Sequence, residues 1–261
     1  MAKVICLPYN KGHLKQARVD LAPKEILKFR NEFYATEEGK QINFDVEEIR
    51  LDASDFLKFQ NNLVDLLFQK FKDSGEKIIL LGGDHSLSYS SIKAFYNLKG
   101  SKGIIWVDAH ADATNYFKPV SHEDVVKVLI KEDVDASDFF MVAIRDYDPN
   151  EYEFIRKHVK HVYRAGDIAR IGFKNFLKEL EEFAESRSKV YVSFDIDAID
   201  PAFAPGTYYA EPGGLTSRQA IEIVSLLGNY ASFMDLVEVE PRLDVNRLTC
   251  KLAMKLLIQF L

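Results

Sequence analysis

Three observations predict an α/β fold built on a parallel sheet. Short apolar runs rich in β-branched and aromatic residues alternate with longer stretches of helical period. Most of those runs are almost unbroken in their hydrophobicity, as strands covered on both faces must be. Finally, 261 residues, 47% hydrophobic and 12% aromatic, can bury one large core, so a single domain over 1–261 is expected.

Strands are predicted over 3–7, 48–51, 77–81, 103–107, 139–145, 161–164, 189–196 and 233–239. Between them lie amphipathic helices. One places Phe173, Phe176, Leu177, Leu180, Phe183 and Ala184 at steps of three and four residues. Another runs over about 54–72, with Leu63, Leu66, Leu67 and Phe71 on one face and Gly75 as its expected cap. Thr216 followed by Gln219 fits a capping box for a helix carrying Ile221, Val224 and Leu227. These helices need no role beyond packing. Segments 115–121 and 202–214 read as irregular loops, each following a carboxylate cluster.

Charge and cysteine content narrow the function. Lys and Arg number 34 against 40 Asp and Glu, a formal charge of −6, which argues against dependence on nucleic acid or anionic lipid and suits a small cationic substrate. No stretch approaches the roughly 18 apolar residues of a membrane span, and the N-terminal apolar run is short, so a cytoplasmic protein is expected. Cys6 and Cys250 are far apart and outside any CxxC pair, which marks them as core thiols.

The strongest signal lies where apolar strands finish. One runs into Gly82-Gly83-Asp84-His85-Ser86, a second into Asp108-Ala109-His110-Ala111-Asp112, and a third into Asp195-Ile196-Asp197. In a parallel sheet all C-terminal strand ends share one edge, so the clusters converge there. Alternate strand residues share a face, which groups Asp195 with Asp197 and Asp108 with His110, with Asp112 following if the chain stays extended. His85 adds a sixth donor from a loop whose glycines permit close backbone approach. Any one cluster has a structural reading as a cap or turn, but three at one edge do not fall that way by capping alone. So many carboxylates repel unless cations lie between them. Four carboxylates and two imidazoles exceed what one tetrahedral zinc needs and favour two octahedral ions such as Mn²⁺.

These motifs, together with Ser193-Phe194-Asp195-Ile196-Asp197-Ala198-Ile199-Asp200-Pro201 and its continuation to Thr207, resemble the metal-binding signatures of the ureohydrolases. That family includes arginase, agmatinase, guanidinobutyrase and formimidoylglutamase, and among them the chain looks most like an agmatinase. The resemblance implies a three-layer α/β/α fold around an eight-stranded parallel sheet, two Mn²⁺ ions and a trimeric or hexameric homo-oligomer. One ion would be held by His85, Asp108, Asp112 and Asp195, the other by Asp108, His110, Asp195 and Asp197. Asp112 would also accept the proton of the metal-bridging hydroxide. Glu238, in Asp235-Leu236-Val237-Glu238-Val239-Glu240-Pro241, matches the residue that pairs with the substrate guanidinium, and an acid interrupting that apolar run itself calls for a cation. His122, ten residues after Asp112, matches a histidine that passes a proton to the leaving amine, although its surroundings depart from the family's and a helix-start role is open.

Tyr208 and Tyr209 also depart from the family pattern and are expected to re-line the substrate pocket. Segment 113–121 reproduces poorly the Asn- and Ser-bearing loop with which arginase holds an amino-acid head group, so agmatine, converted to putrescine and urea, is the expected substrate. Alternatives are another ureohydrolase activity, a non-catalytic relative, or a two-metal phosphoesterase. The last would need a downstream Asn-His-Asp or Asn-His-Glu, which the sequence lacks.

Overall fold

A computed structural model describes residues 2–261. Eight parallel strands form one sheet: β1 (Ala2–Cys6), β2 (Phe44–Glu48), β3 (Ile78–Leu81), β4 (Lys102–Val107), β5 (Phe139–Ile144), β6 (His161–Arg164), β7 (Lys189–Asp195) and β8 (Ala231–Val237). Their order is β2-β1-β3-β8-β7-β4-β5-β6. The strands that carry the motifs are therefore the four central neighbours β3, β8, β7 and β4, although they are scattered along the chain. β7 pairs with β4 over six residue pairs from Lys102 with Lys189 to Val107 with Phe194, and with β8 on its other edge.

Helices cover both faces, and alternate strand residues feed two cores. On one face Val4, Ile105, Val107 and Val192 pack against α1 (Ala22–Leu27), α6 (Ala165–Ile171), α7 (Phe173–Glu185), α8 (Ser217–Leu227) and α9 (Leu248–Phe260). On the other, Ile5, Ile104, Trp106 and Tyr191 meet α2 (Phe56–Lys72), α3 (Leu87–Tyr96), α4 (Val125–Lys131) and α5 (Pro149–His158). The stripe predicted in 173–184 buries Phe176, Leu180, Phe183 and Ala184, and the Thr216–Gln219 capping box is present at α8. Both cysteines are buried and free.

Two expectations are corrected. The strand predicted at 48–51 lies at Phe44–Glu48, at the outer edge of the sheet where β1 is its one neighbour, so polar residues mix with apolar ones on an exposed strand. Ile49 and Leu51, the apolar residues that suggested 48–51, lead the chain away from it. Helix α2 begins after an Asp55 cap and ends at Asp73, which stays right-handed and bonds back to Gln69, so Gly75 has no capping role.

Candidate active site

All three predicted clusters and Glu238 meet above the central strand ends, joined by an N-terminal loop after β1. Gly83 shows why a side chain is excluded from the His85 turn: a Cβ there would stand 1.6 Å from the Tyr9 carbonyl oxygen. The His85 ring stacks on Trp106, with centroids 4.2 Å apart and planes 8° apart. Asp112 does not continue an extended strand as expected. It turns left-handed, with φ 46°, and reaches the cluster by that turn.

Nδ1 of His85 lies 3.1 Å from a carboxylate oxygen of each of Asp108, Asp112 and Asp195. Nδ1 of His110 lies 3.0 Å from Asp197 and 3.5 Å from Asp108. The predicted donors thus divide into two sets that share Asp108. Asp195 approaches the His85 set directly and accepts the Asp197 backbone N–H at 2.8 Å, so its implied bridging position is approached from the His85 side alone.

These residues fit divalent ions. Six-coordinate ions with ligands at about 2.1 Å place neighbouring ligands about 3 Å apart. His85 Nδ1, Asp108 Oδ2 and Asp112 Oδ2 are buried without a hydrogen-bond partner. The reason is visible behind His85. Hydroxyls of Ser193, Tyr191 and Ser88 donate to the buried Asp235 carboxylate, so Ser193 Oγ accepts from His85 Nε2–H at 3.0 Å. That tautomer leaves a bare Nδ1 lone pair facing three carboxylates, an arrangement that asks for a cation.

The electrostatics register the same demand. Burial and the charge of Asp108 push Asp112 up to about 8, while burial and Asp197 raise Asp195 far above the carboxylate range. Burial opposes protonation of His85, yet its bonds to the three aspartates hold it well above the usual imidazole value. His110 is raised likewise, with burial outweighed by Asp197 and Asp108, whereas burial of Asp108 is outweighed by its bonds to the two histidines, which lower it. Protons and metal ions are alternative suppliers of this positive charge.

Beside the cluster lies a cavity of about 260 Å³ lined by members of both donor sets other than Asp108, and by Glu238, His122, Glu123, Asp146 and Tyr209. Glu238 sits in the left-handed region, with φ 62°, just past β8. Its Oε1 accepts the His85 backbone N–H at 2.7 Å and its Oε2 has no partner. Burial and the nearby Asp84 raise it well above the carboxylate range. His122 reaches the site, with Nδ1 3.7 Å from Glu238 Oε1, and burial and His13 lower it to about 3. Of the two tyrosines, Tyr209 forms the wall, with its ring 5.9 Å from His110 and 5.7 Å from His122. Tyr208 stands behind it, edge-on to His13 at 5.3 Å. Arg145 fixes the loop that carries them by donating to the carbonyls of Asp197, Ala198, Glu211 and Pro212.

His13 was not among the predicted site residues. Its ring stacks on His122 at 4.3 Å and its Nε2 lies 3.6 Å from Glu238 Oε2. The available signal was positional: Gly12-His13 follows β1, whose C-terminal end opens on the same edge. Glu123 and Asp146 at the mouth were missed as well, having no motif to mark them.

Comparison with known proteins agrees with this geometry. The Arginase family model matches residues 2–261. A formimidoylglutamase of Halalkalibacterium halodurans is 29% identical over 99% of this chain and 85% of its own length. An arginase of Staphylococcus aureus is 30% identical over 85% of each. The crystal structure of formimidoylglutamase from Bacillus subtilis superposes with a TM-score of 0.92 over 99% of this chain and 85% of its own, at 24% identity, a likeness of fold. The expected fold is the observed one, and the chain belongs to the arginase family of two-metal ureohydrolases.

Proposed function

We propose that the protein hydrolyses the guanidino C–N bond of a substrate whose far end is cationic, with agmatine giving putrescine and urea as the first choice. The observation that carries this reading is the lining of the cavity: eight of its fourteen residues are acidic and none is Lys or Arg. Asp148 and Glu151 are occupied in the cap of α5, which leaves Glu123 and Asp146 at the mouth for a substrate amine. The raised pKa of Glu123, due to burial and then Asp124, is what a nearby cation would relieve.

The division of labour follows from the residues. His85, Asp108, Asp112 and Asp195 would hold one ion and Asp108, His110, Asp195 and Asp197 the other. Two bound divalent ions, Mn²⁺ on this reading, supply hydroxide near neutral pH by lowering the pKa of water. Glu238 pairs with the guanidinium through its free Oε2 and turns the central carbon towards the nucleophile. Asp112 takes the proton released there. The C–N bond then breaks, and the leaving nitrogen departs as an amine after gaining a proton. His122 is neutral at rest, so it must first receive a proton before passing one to that amine.

A second reading is favoured by one contact. Lys15, outside the lining itself, stands with Nζ 4.5 Å from the ring centroid of Tyr209 in the cavity wall, and suits a substrate carboxylate. That is the direction to which the names of the arginase and formimidoylglutamase relatives point. A panel separates the two: Mn²⁺-loaded protein is expected to release urea from agmatine faster than from arginine or 4-guanidinobutyrate. Preference for arginine would move the assignment to the carboxylate reading, and formamide from formiminoglutamate would identify formimidoylglutamase chemistry. Silence on the whole panel would reject the substrate class.

A further inference from the structure

His13 is the buried group of the site for which neither the resemblance nor the metal chemistry has a use. Its side chain is 0% exposed, enclosed by His122 on one face and the edge of Tyr208. The loop that carries it is built in from two directions. The Gly12 N–H donates to the buried Asp84 carboxylate at 3.1 Å, and the Gly12 carbonyl accepts the His122 N–H at 3.2 Å. A Cβ on Gly12 would stand 2.1 Å from Ser86 Oγ, so this seat requires glycine. His13 and His122 are thus tied backbone to backbone, and their imidazoles present nitrogens to opposite oxygens of one carboxylate, His13 to Glu238 Oε2 and His122 to Oε1.

The surroundings of His13 bear on which ring nitrogen carries its proton. Nδ1 lies 3.1 Å from both the backbone N–H and the carbonyl of Lys15. If Nδ1 accepts from that N–H, Nε2 carries hydrogen and points it at Glu238. The other tautomer would aim the Nε2 lone pair at a carboxylate oxygen that has no partner. At Nδ1 the two tautomers are balanced, one accepting from the Lys15 N–H and the other donating to the Lys15 carbonyl, so the difference lies at Nε2, where only the first offers a donor to the ionised Glu238 carboxylate that a guanidinium requires. At 3.6 Å the pair is longer than a hydrogen bond, so Oε2 is steered and not consumed.

We propose that His13 is a positioning residue for substrate binding: its Nε2–H, opposite the His85 backbone N–H on Oε1, fixes the plane of the Glu238 carboxylate and leaves its free edge for the guanidinium. The assignment rests on the proposed use of Glu238 as the guanidinium partner. A neutral donor suits this task because Lys or Arg in its place would neutralise the carboxylate that has to attract the substrate.

Two variants and one direct measurement test it. His13→Phe keeps a ring in the stack and removes the donor, whereas His13→Gln keeps a donor. With the Mn²⁺-loaded enzyme and the preferred substrate of the panel, H13F is expected to raise KM about tenfold with kcat within about twofold, and H13Q to recover KM to within about threefold of wild type. An unchanged KM in H13F, or H13Q no better than H13F, would overturn the assignment. So would a fall in kcat at constant KM, the mark of a residue acting in the chemical step. Independently of turnover, ¹⁵N-histidine NMR of metal-free wild-type protein is expected to show His13 as the Nε2–H tautomer; the Nδ1–H form would overturn it. Should no panel substrate turn over, the substrate class falls, and the tautomer alone upholds or overturns the role of His13.

Discussion

Asp112 and Glu238 are both held with positive φ, a conformation that costs a non-glycine residue on the order of 1–3 kcal/mol. Each aims its carboxylate where a regular strand could not, Asp112 at His85 and Glu238 at the backbone of the same histidine. Strain and charge therefore sit on the same side chains. The donor sets make a direct prediction. Replacing Asp197 or His110 with Ala is expected to remove metal and hydrolysis together, the first read by metal analysis after gel filtration and the second by urea release. Full activity in either variant would remove its residue from the ligand set. The same two positions were readable without coordinates, because a polar residue at the end of an apolar run needs only local spacing to be noticed. His13 was not readable in this way. Its partners belong to the segments just past β3 and β8 and to the loop before α4, and only strand order makes them neighbours.

Each element contributes stability by ordinary means. Phe176 in α7 is wholly buried beneath the sheet, and Phe176→Ala is expected to cost about 3–5 kcal/mol in urea denaturation. Thr216→Ala, which opens the α8 capping box, should cost nearer 1 kcal/mol, and a reversed order would contradict the packing described. Helix stripes and the Thr216–Gln219 box were legible because their spacing is written over a few turns, whereas the Gly75 cap was not borne out. The edge strand was misplaced because Phe44-Asp45-Val46-Glu47-Glu48 has one paired neighbour and water beyond it, so it lacks the unbroken apolar run that marks the central strands. A bulge in β5 at Ala143, with φ 70°, was equally invisible; Arg145, just beyond it, binds the carbonyls of the 197–212 segment.

For the whole molecule, the buried imidazoles tie stability to pH. His122 has an ordinary value of 6.5 and is lowered to about 3 by burial and His13. Above pH 6.5 neither the folded nor the unfolded chain protonates it, so it contributes nothing. Below 6.5 the unfolded chain takes up a proton that the folded one refuses, and stability falls until about pH 3. His85 and His110 are raised and act in the opposite sense, so the contribution of His122 is read as a difference. In metal-free protein, His122→Gln is expected to gain about 2 kcal/mol relative to wild type on going from pH 7 to pH 5, measured by urea denaturation. A constant difference between the two proteins over that interval would show that His122 titrates in the fold as it does in the unfolded chain, and a shift in the opposite direction that it is protonated in the fold.

The strand order has one more consequence, for the way the protein is made. Asp108 and Asp195 stand side by side only because β4 pairs with β7, whose residues are synthesised more than eighty positions later, and Glu238 arrives with β8 after that. In the finished sheet β8 and β7 lie between β3, which leads to His85, and β4, which leads to Asp108, His110 and Asp112, so a chain that has emerged only as far as β6 lacks the two strands that join those ends. The complete donor set appears only when the last two strands insert into the middle of the sheet, so its assembly is a signature of the finished topology.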